Sequence, residues 1–216
     1  MAAVSLKPDY GPTLGQLLAR RFPGDPRMVR VAAVAAGVLF AASILAAVLT
    51  LQDATISHRG KVAFSFHYRS LYRTVPDPGG YAKVQRLRAG GVLEDSLAVA
   101  PLHLPPYSGG LSGELPLYAS ARIHELSSRD RDFVLRGEGK TRVNTVPAYS
   151  IFYTTTVRGQ KMYGRDILLL PERPGARDGV DLVMLTSPTA NAQIREPQGV
   201  ASTGVLHIPL QSFTFE

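Results

Sequence analysis

Residues 148–170 read AYSIFYTTTVRGQKMYGRDILLL, and this stretch decides the fold. Its first half, Ala148 to Arg158, is dense in β-branched and aromatic residues, the side chains that suit a pleated, half-buried surface. Its second half, Lys161 to Leu170, repeats that texture. Gly159-Gln160 between them predicts a two-residue hairpin with glycine in the first turn position. In that register Arg158 faces Lys161, Val157 faces Met162, Tyr153 faces Asp166 and Ile151 faces Leu168. One face then gathers Tyr149, Ile151, Val157, Met162, Leu168 and Leu170, a coherent apolar set, and a one-residue slip would destroy it.

More strands surround the hairpin. Val62, Phe64, Phe66 and Tyr68 alternate with smaller or polar residues, the period of a half-buried strand. Ala82 to Arg88 predicts a strand. Leu97 to Leu104 predicts another, placed at a sheet edge by Pro101. Leu115, Ala119, Ile123 and Leu126 recur at helical spacing, so a helix is expected from Leu115 to Ser128. Phe133 to Arg136 reads as a short strand and Val180 to Thr186 as a nearly continuous one. Ala190 to Arg195 reads as a helical turn, and Leu210 to Phe215 as a last strand or docked tail. Hairpin connections make the sheet largely antiparallel, and helices on its faces make the class α+β.

Upstream lies a segment of another kind. Val31 to Leu51 reads VAAVAAGVLFAASILAAVLTL, with no charge and no proline. A helix of that length spans roughly 31 Å, against about 30 Å of bilayer hydrocarbon. A cleaved signal peptide has an apolar core of only ~7–15 residues and a short lead, so an uncleaved anchor is favoured. Arg27 and Arg30 stand at the mouth of the span, while the first cation after it is Arg59. The positive-inside bias places the N-terminus in the cytoplasm and the long C-terminal part outside it. The expected domains are a cytoplasmic lead (1–30), the span (31–51), a polar tether (52–60) and an extracytoplasmic α+β domain (61–216). In the lead, Thr13 and Gln16 fit a capping box ahead of Leu14, Leu17, Leu18 and Phe22 at helical spacing.

The chain's 216 residues are 45% apolar and 19% charged, which excludes wholesale disorder. Net charge is +7. Both signs intersperse along the outer domain, so the basic balance is not a nucleic-acid footprint. Cysteine is absent, which excludes disulfides, thiolate metal sites and a cysteine nucleophile. The five histidines have no metal-ligand spacing, and Gly110-Leu111-Ser112-Gly113 falls short of a nucleophile elbow. Asp77, Asp166, Asp178 and Asp181 are scattered. No catalytic residue, cofactor or metal is expected. Tyr107, Ser108 and Gly109, an aromatic among turn formers, are a candidate partner contact. Ala33, Gly37 and Ala41 form a small-residue stripe through which the span could self-associate.

The strands VAFSFHYRSLY, PAYSIFYTTTVRGQKMYGRDILLL and GVDLVMLTSP, with the terminal SFTF, together resemble the PsbP/Mog1-like fold family over residues 60–216. The resemblance implies an α/β/α sandwich and a binding or assembly role without chemistry. It carries over no functional residue. The expected function is a single-pass, non-catalytic binding or assembly module of the cell envelope. Its expected partners are the bilayer and an envelope protein. The alternatives are a membrane-tethered hydrolase with a dispersed site and a sensor or transport accessory.

Overall fold

The computed structural model describes Gln16 and residues 26–105, 111–173 and 175–216. The chain divides into two compact units, residues 1–50 and 51–216. Helix α1 (Pro26–Leu51) dominates the first. Proline suits the first helical position because that N–H has no intrahelical acceptor. From Arg30 to Val48 the mean hydropathy is 2.5 and none of that window is buried. Val31, Val34, Leu39, Phe40 and Leu45 are all exposed. A surface helix of a water-soluble domain hides an apolar stripe, whereas this one is apolar all round. It is long and apolar enough to cross a membrane.

The second unit is built on a seven-stranded sheet. Its strands are β3 (Arg73–Thr74), β4 (Ala82–Leu87), β5 (Leu93–His103), β6 (Val134–Val143), β7 (Val146–Val157), β8 (Gln160–Leu169) and β9 (Asp178–Thr186), in the spatial order β3-β4-β5-β9-β8-β7-β6. Every neighbouring pair is antiparallel. Helix α2 (Leu111–Arg129) covers one face, burying Leu115, Ala119 and Leu126 against Leu102, Tyr149, Ile151, Tyr153 and Leu168. On the other face lie β1 (Asp53–His58), β2 (Phe64–Arg69) and β10 (Thr214–Phe215), which pair as a small sheet, and the short helix α3 (His207–Ser212). Phe64, Phe66, Leu206 and Phe213 there close over Val84, Leu97, Val99, Ile167, Leu169, Val180, Leu182 and Met184. The expected sandwich is present. One outer layer is a helix, and the other is mostly small sheet.

The hairpin forms one position earlier than expected. Its turn is Arg158-Gly159, with φ of 51° and 77°, so both central residues are left-handed as a type I′ turn requires. Glycine occupies the second position, where it relieves that strain. Val157 therefore pairs with Gln160, Thr155 with Met162 and Tyr153 with Gly164. The register moves by two, so every side chain keeps its face, and Tyr149, Ile151, Met162, Leu168 and Leu170 are buried as expected. The corrected pairing also explains Gly164. A Cβ there would lie 2.2 Å from the ring of Tyr153, so only glycine lets that ring lie across the strand.

Five other readings change. Strand β5 lies between β4 and β9 and is not an edge. Val99 offers its carbonyl to Tyr81 at the last bond to the β4 side. Pro101 has the same orientation but lies beyond the end of β4, so its missing N–H breaks no ladder. Residues 52–60, read as a tether, hold β1, which pairs with β2 from Asp53↔Arg69 to His58↔Phe64. Its polar sequence DATISH fits an edge strand that is alternately exposed and half-buried. The short strand at Phe133–Arg136 becomes ten-residue β6, whose polar RGEGKTRV portion forms the sheet's outer edge. Residues 190–195 make turns rather than a helix, and a 3-10 turn follows at Pro197–Gly199. The C-terminus delivers α3 before β10.

Candidate functional site

Tyr107, Ser108 and Gly109 lie outside the described residues. Ala33, Gly37 and Ala41 fall at four-residue intervals along α1. A Cβ built on Gly37 would meet nothing within 4 Å among the described residues. The histidines do not converge. His58 stacks between Phe64 and Tyr81. His67 bonds Thr55, and His207 lies 2.9 Å from the Ala201 carbonyl. His124 is exposed on α2. His103 has a carboxylate partner: its Nδ1 lies 2.8 Å from Asp178 Oδ1, and Lys61 Nζ lies 2.8 Å from Asp178 Oδ2. The hydrogen bonds from Lys61 and then His103 hold the Asp178 carboxyl below its usual range.

The unusual electrostatics lie under α2. Asp166 on β8 and Asp181 on β9 both point at the helix. The pairings Asp166↔Val183 and Leu168↔Asp181 make them diagonal neighbours. Both are buried. Arg122 reaches down from α2, its Nε 3.3 Å from Asp166 Oδ2 and 3.2 Å from Asp181 Oδ2. Its Nη1 donates to both oxygens of Glu125 at 3.0 Å. Tyr153 donates its hydroxyl to Asp166 Oδ1 at 2.7 Å. Asp181 Oδ1 is buried and has no partner among the described residues.

One guanidinium cannot neutralise two buried carboxylates and the exposed Glu125. Burial raises the Asp166 carboxyl, with Arg122 and Tyr153 opposing. Burial, and then the charge of Asp166, raise Asp181 well above its ordinary value. Burial and the adjacent Asp166 also push the Tyr153 phenol well up. Burial alone would lower Arg122, but Asp181, Asp166 and Glu125 raise it. The pair therefore holds a proton to higher pH than an ordinary carboxylate does, most firmly on Asp181. An anionic oxygen at the orphaned Oδ1 would go uncompensated, and a neutral one costs far less. Two carboxylates sharing a proton resemble acid–base machinery. Here they sit beneath the packed face of α2, where Arg122 and Tyr153 engage every carboxylate oxygen but Asp181 Oδ1. The arrangement fastens α2 to the sheet.

A concavity of about 560 Å³ opens where α2 begins, between the helix and the β6–β7 hairpin. Leu115, Pro147, Ala148 and Tyr149 supply its apolar lining, with Lys140, Thr141 and Arg142 on its rim. Burial raises the Tyr149 phenol, helped by Glu138. The volume falls in the range of sites that take one small apolar group with a few polar contacts. Lys140 and Arg142 are exposed, so the mouth favours an acidic neighbour.

The expected register, which keeps every side chain on its face, puts Asp166 on the same face of β8 as Met162 and Leu168. A carboxylate flanked at alternate positions by Met162, Gly164, Leu168 and Leu170 needs a cation. Arg122 lies three residues after Ala119 and four before Leu126 on the helix's packed side. That signal was legible. The cleft was not, because its walls come from segments more than twenty residues apart.

No family model matches the chain, and no curated protein matches it. Solved structures do. One is the crystal structure of LpqN, involved in cell envelope biogenesis of Mycobacterium tuberculosis: 8% identical, TM-score 0.51, covering 76% of this chain and 91% of that one. Another is the solution structure of the cyanobacterial PsbP of Synechocystis sp. PCC 6803: 15% identical, TM-score 0.50, covering 78% and 94%. At such identities the likeness concerns the fold alone: the chain has a PsbP-like fold.

Proposed function

We propose that the chain is a single-pass, membrane-anchored, non-catalytic binding or assembly module of the cell envelope, with residues 52–216 outside the cytoplasm. The observation that carries this reading is α1, an apolar helix with none of its central window buried, in a chain whose other unit has its own closed cores. Arg27 and Arg30 at the start of α1 support the orientation. The envelope role of LpqN and the PsbP-like fold support an accessory task. The docking surface is the cleft beside α2. A partner inserts one apolar side chain between Leu115 and Tyr149 and sets acidic groups against Lys140 and Arg142. A hydrolase would rest on His103, oriented by Asp178; among the described residues that ring hydrogen-bonds no hydroxyl.

Photo-crosslinking tests the docking surface. A photoreactive residue at Thr141 in the full chain, activated in living cells, is expected to give one discrete protein adduct. The double reversal Lys140→Glu with Arg142→Glu should abolish it, since both side chains are exposed and the fold should tolerate their change. Absence of any adduct at Thr141, or an adduct indifferent to the reversal, would remove the cleft as the docking site.

A further inference from the structure

A second concavity, about 270 Å³, lies on the other face of the sheet, where β6, β7 and β8 meet the segment 195–198. Arg136, Lys161 and Arg195 line it, with Thr154, Tyr163 and Glu196. Among the described residues none of the three cations makes an ion pair. Arg136 is the bulged residue of β6, since Leu135 pairs with Tyr153 and Gly137 with Phe152. Bulges re-aim side chains in this way. Two hydrogen bonds fix the facing wall: Gln198 donates to the Arg136 carbonyl at 3.0 Å, and the Tyr163 hydroxyl to the Arg195 carbonyl at 3.0 Å. These bonds occupy two of the carbonyls that would otherwise repel an anion.

The neighbouring charge has the same sign. Lys161, Tyr163 and Arg165 alternate along one face of β8. Arg165, half-buried, donates to Ser150 Oγ and the Val200 carbonyl and lies over the Phe152 ring, with no carboxylate partner among the described residues. Burial lowers it from its ordinary value, with no acid to restore it. Three cations against Glu196 leave an excess of two positive charges at the concavity.

We propose that this concavity binds a phosphate ester carrying a neighbouring hydroxyl. A phosphomonoester brings about −1.5 to −2 of charge and three acceptor oxygens, which match the excess and the two guanidinium forks. Glu196 would repel a bare dianion but accepts a hydrogen bond from a hydroxyl beside the phosphate. At about 30 Å³ per liquid water, the space holds roughly nine waters, enough for a phosphate with a short polyol. Free glycerophosphates, sugar phosphates and glycerol-bearing lipid headgroups all share this chemistry. The site does not depend on the partner-docking role proposed above.

The test uses the full chain in a neutral, uncharged detergent. Isothermal titration with glycerol 3-phosphate reads the soluble source. Native mass spectrometry with added phosphatidylglycerol reads the lipid source. At least one should bind, and the one that binds identifies the source. The triple variant Arg136→Gln, Lys161→Gln, Arg195→Gln should weaken binding by roughly tenfold per cation removed. Arg131→Gln, an exposed cation elsewhere, should not change it, and melting should be unaltered because the three side chains are exposed and make no ion pair among the described residues. Failure of both probes to bind, or binding that survives the triple variant, would overturn the proposal.

Discussion

Replacing Arg122 by Met is expected to cost about 3–5 kcal/mol of stability, the usual penalty for breaking a buried charge network by removing one partner. Met keeps the apolar stem and its packing, so the loss reports the charge. Without the guanidinium, among the described residues Asp166 keeps only the Tyr153 hydroxyl, and Asp181 keeps no partner. For a domain of this size the melting temperature should fall by roughly 6–20 °C. Glu125→Gln removes a partner that is more than half exposed, with 56% of its side chain accessible, and should change stability by no more than about 0.5 kcal/mol. The triple variant Arg122→Met, Asp166→Asn, Asp181→Asn should recover most of the loss, because it leaves no charge buried without a partner. Melting curves of the full chain in detergent decide it. A loss under about 1 kcal/mol for Arg122→Met would mean that α2 is held by its apolar face alone.

Stability should also fall as pH rises above the ordinary carboxylate range, the reverse of the usual acid-denaturation slope. The folded-state values of Asp166 and Asp181 lie above 3.8. Between pH 3.8 and the raised folded-state value, the folded pair therefore holds a proton that the unfolded chain has released. The stabilisation is complete below that window and is lost as pH climbs through it, at up to about 1.4 kcal/mol per pH unit for one proton. The groups that face the pair are Arg122, Glu125 and Tyr118 from α2 and Tyr153 from β7, with Arg129 acting on Asp166 from the end of α2. Asp181→Asn supplies a permanently neutral group with N–H donors and should flatten the slope while keeping α2 in place. Melting temperature against pH for both proteins checks this. A slope unchanged in Asp181→Asn would assign the pH dependence to other groups.

The inward face of the central hairpin was legible because alternation of apolar side chains has a period of two, and a turn misplaced by one residue moves the register by two. The turn itself was misread because glycine suggests the first position of one primed turn as readily as the second of another. Only the neighbouring Arg158, accepting a left-handed φ of 51°, separates the two. Strand β1 and the greater part of β6 beyond Arg136 escaped because they are polar sheet edges, where burial leaves little apolar pattern. Pro101 misled because its effect depends on where β4 ends, a length set by tertiary pairing. The buried network was half-visible through Asp166 on an apolar face. The two concavities were not, since each is assembled from distant segments.

Anchoring and orientation are tested most directly in cells stripped of their wall, probed with added protease and then washed with alkaline carbonate. The full-length chain should stay in the membrane pellet through the carbonate wash. The protease should digest residues 52–216 and leave a small membrane-embedded fragment containing α1. Release of the chain by carbonate, a mature protein that begins after Leu51, or a domain protected until the cells are lysed would each contradict the account.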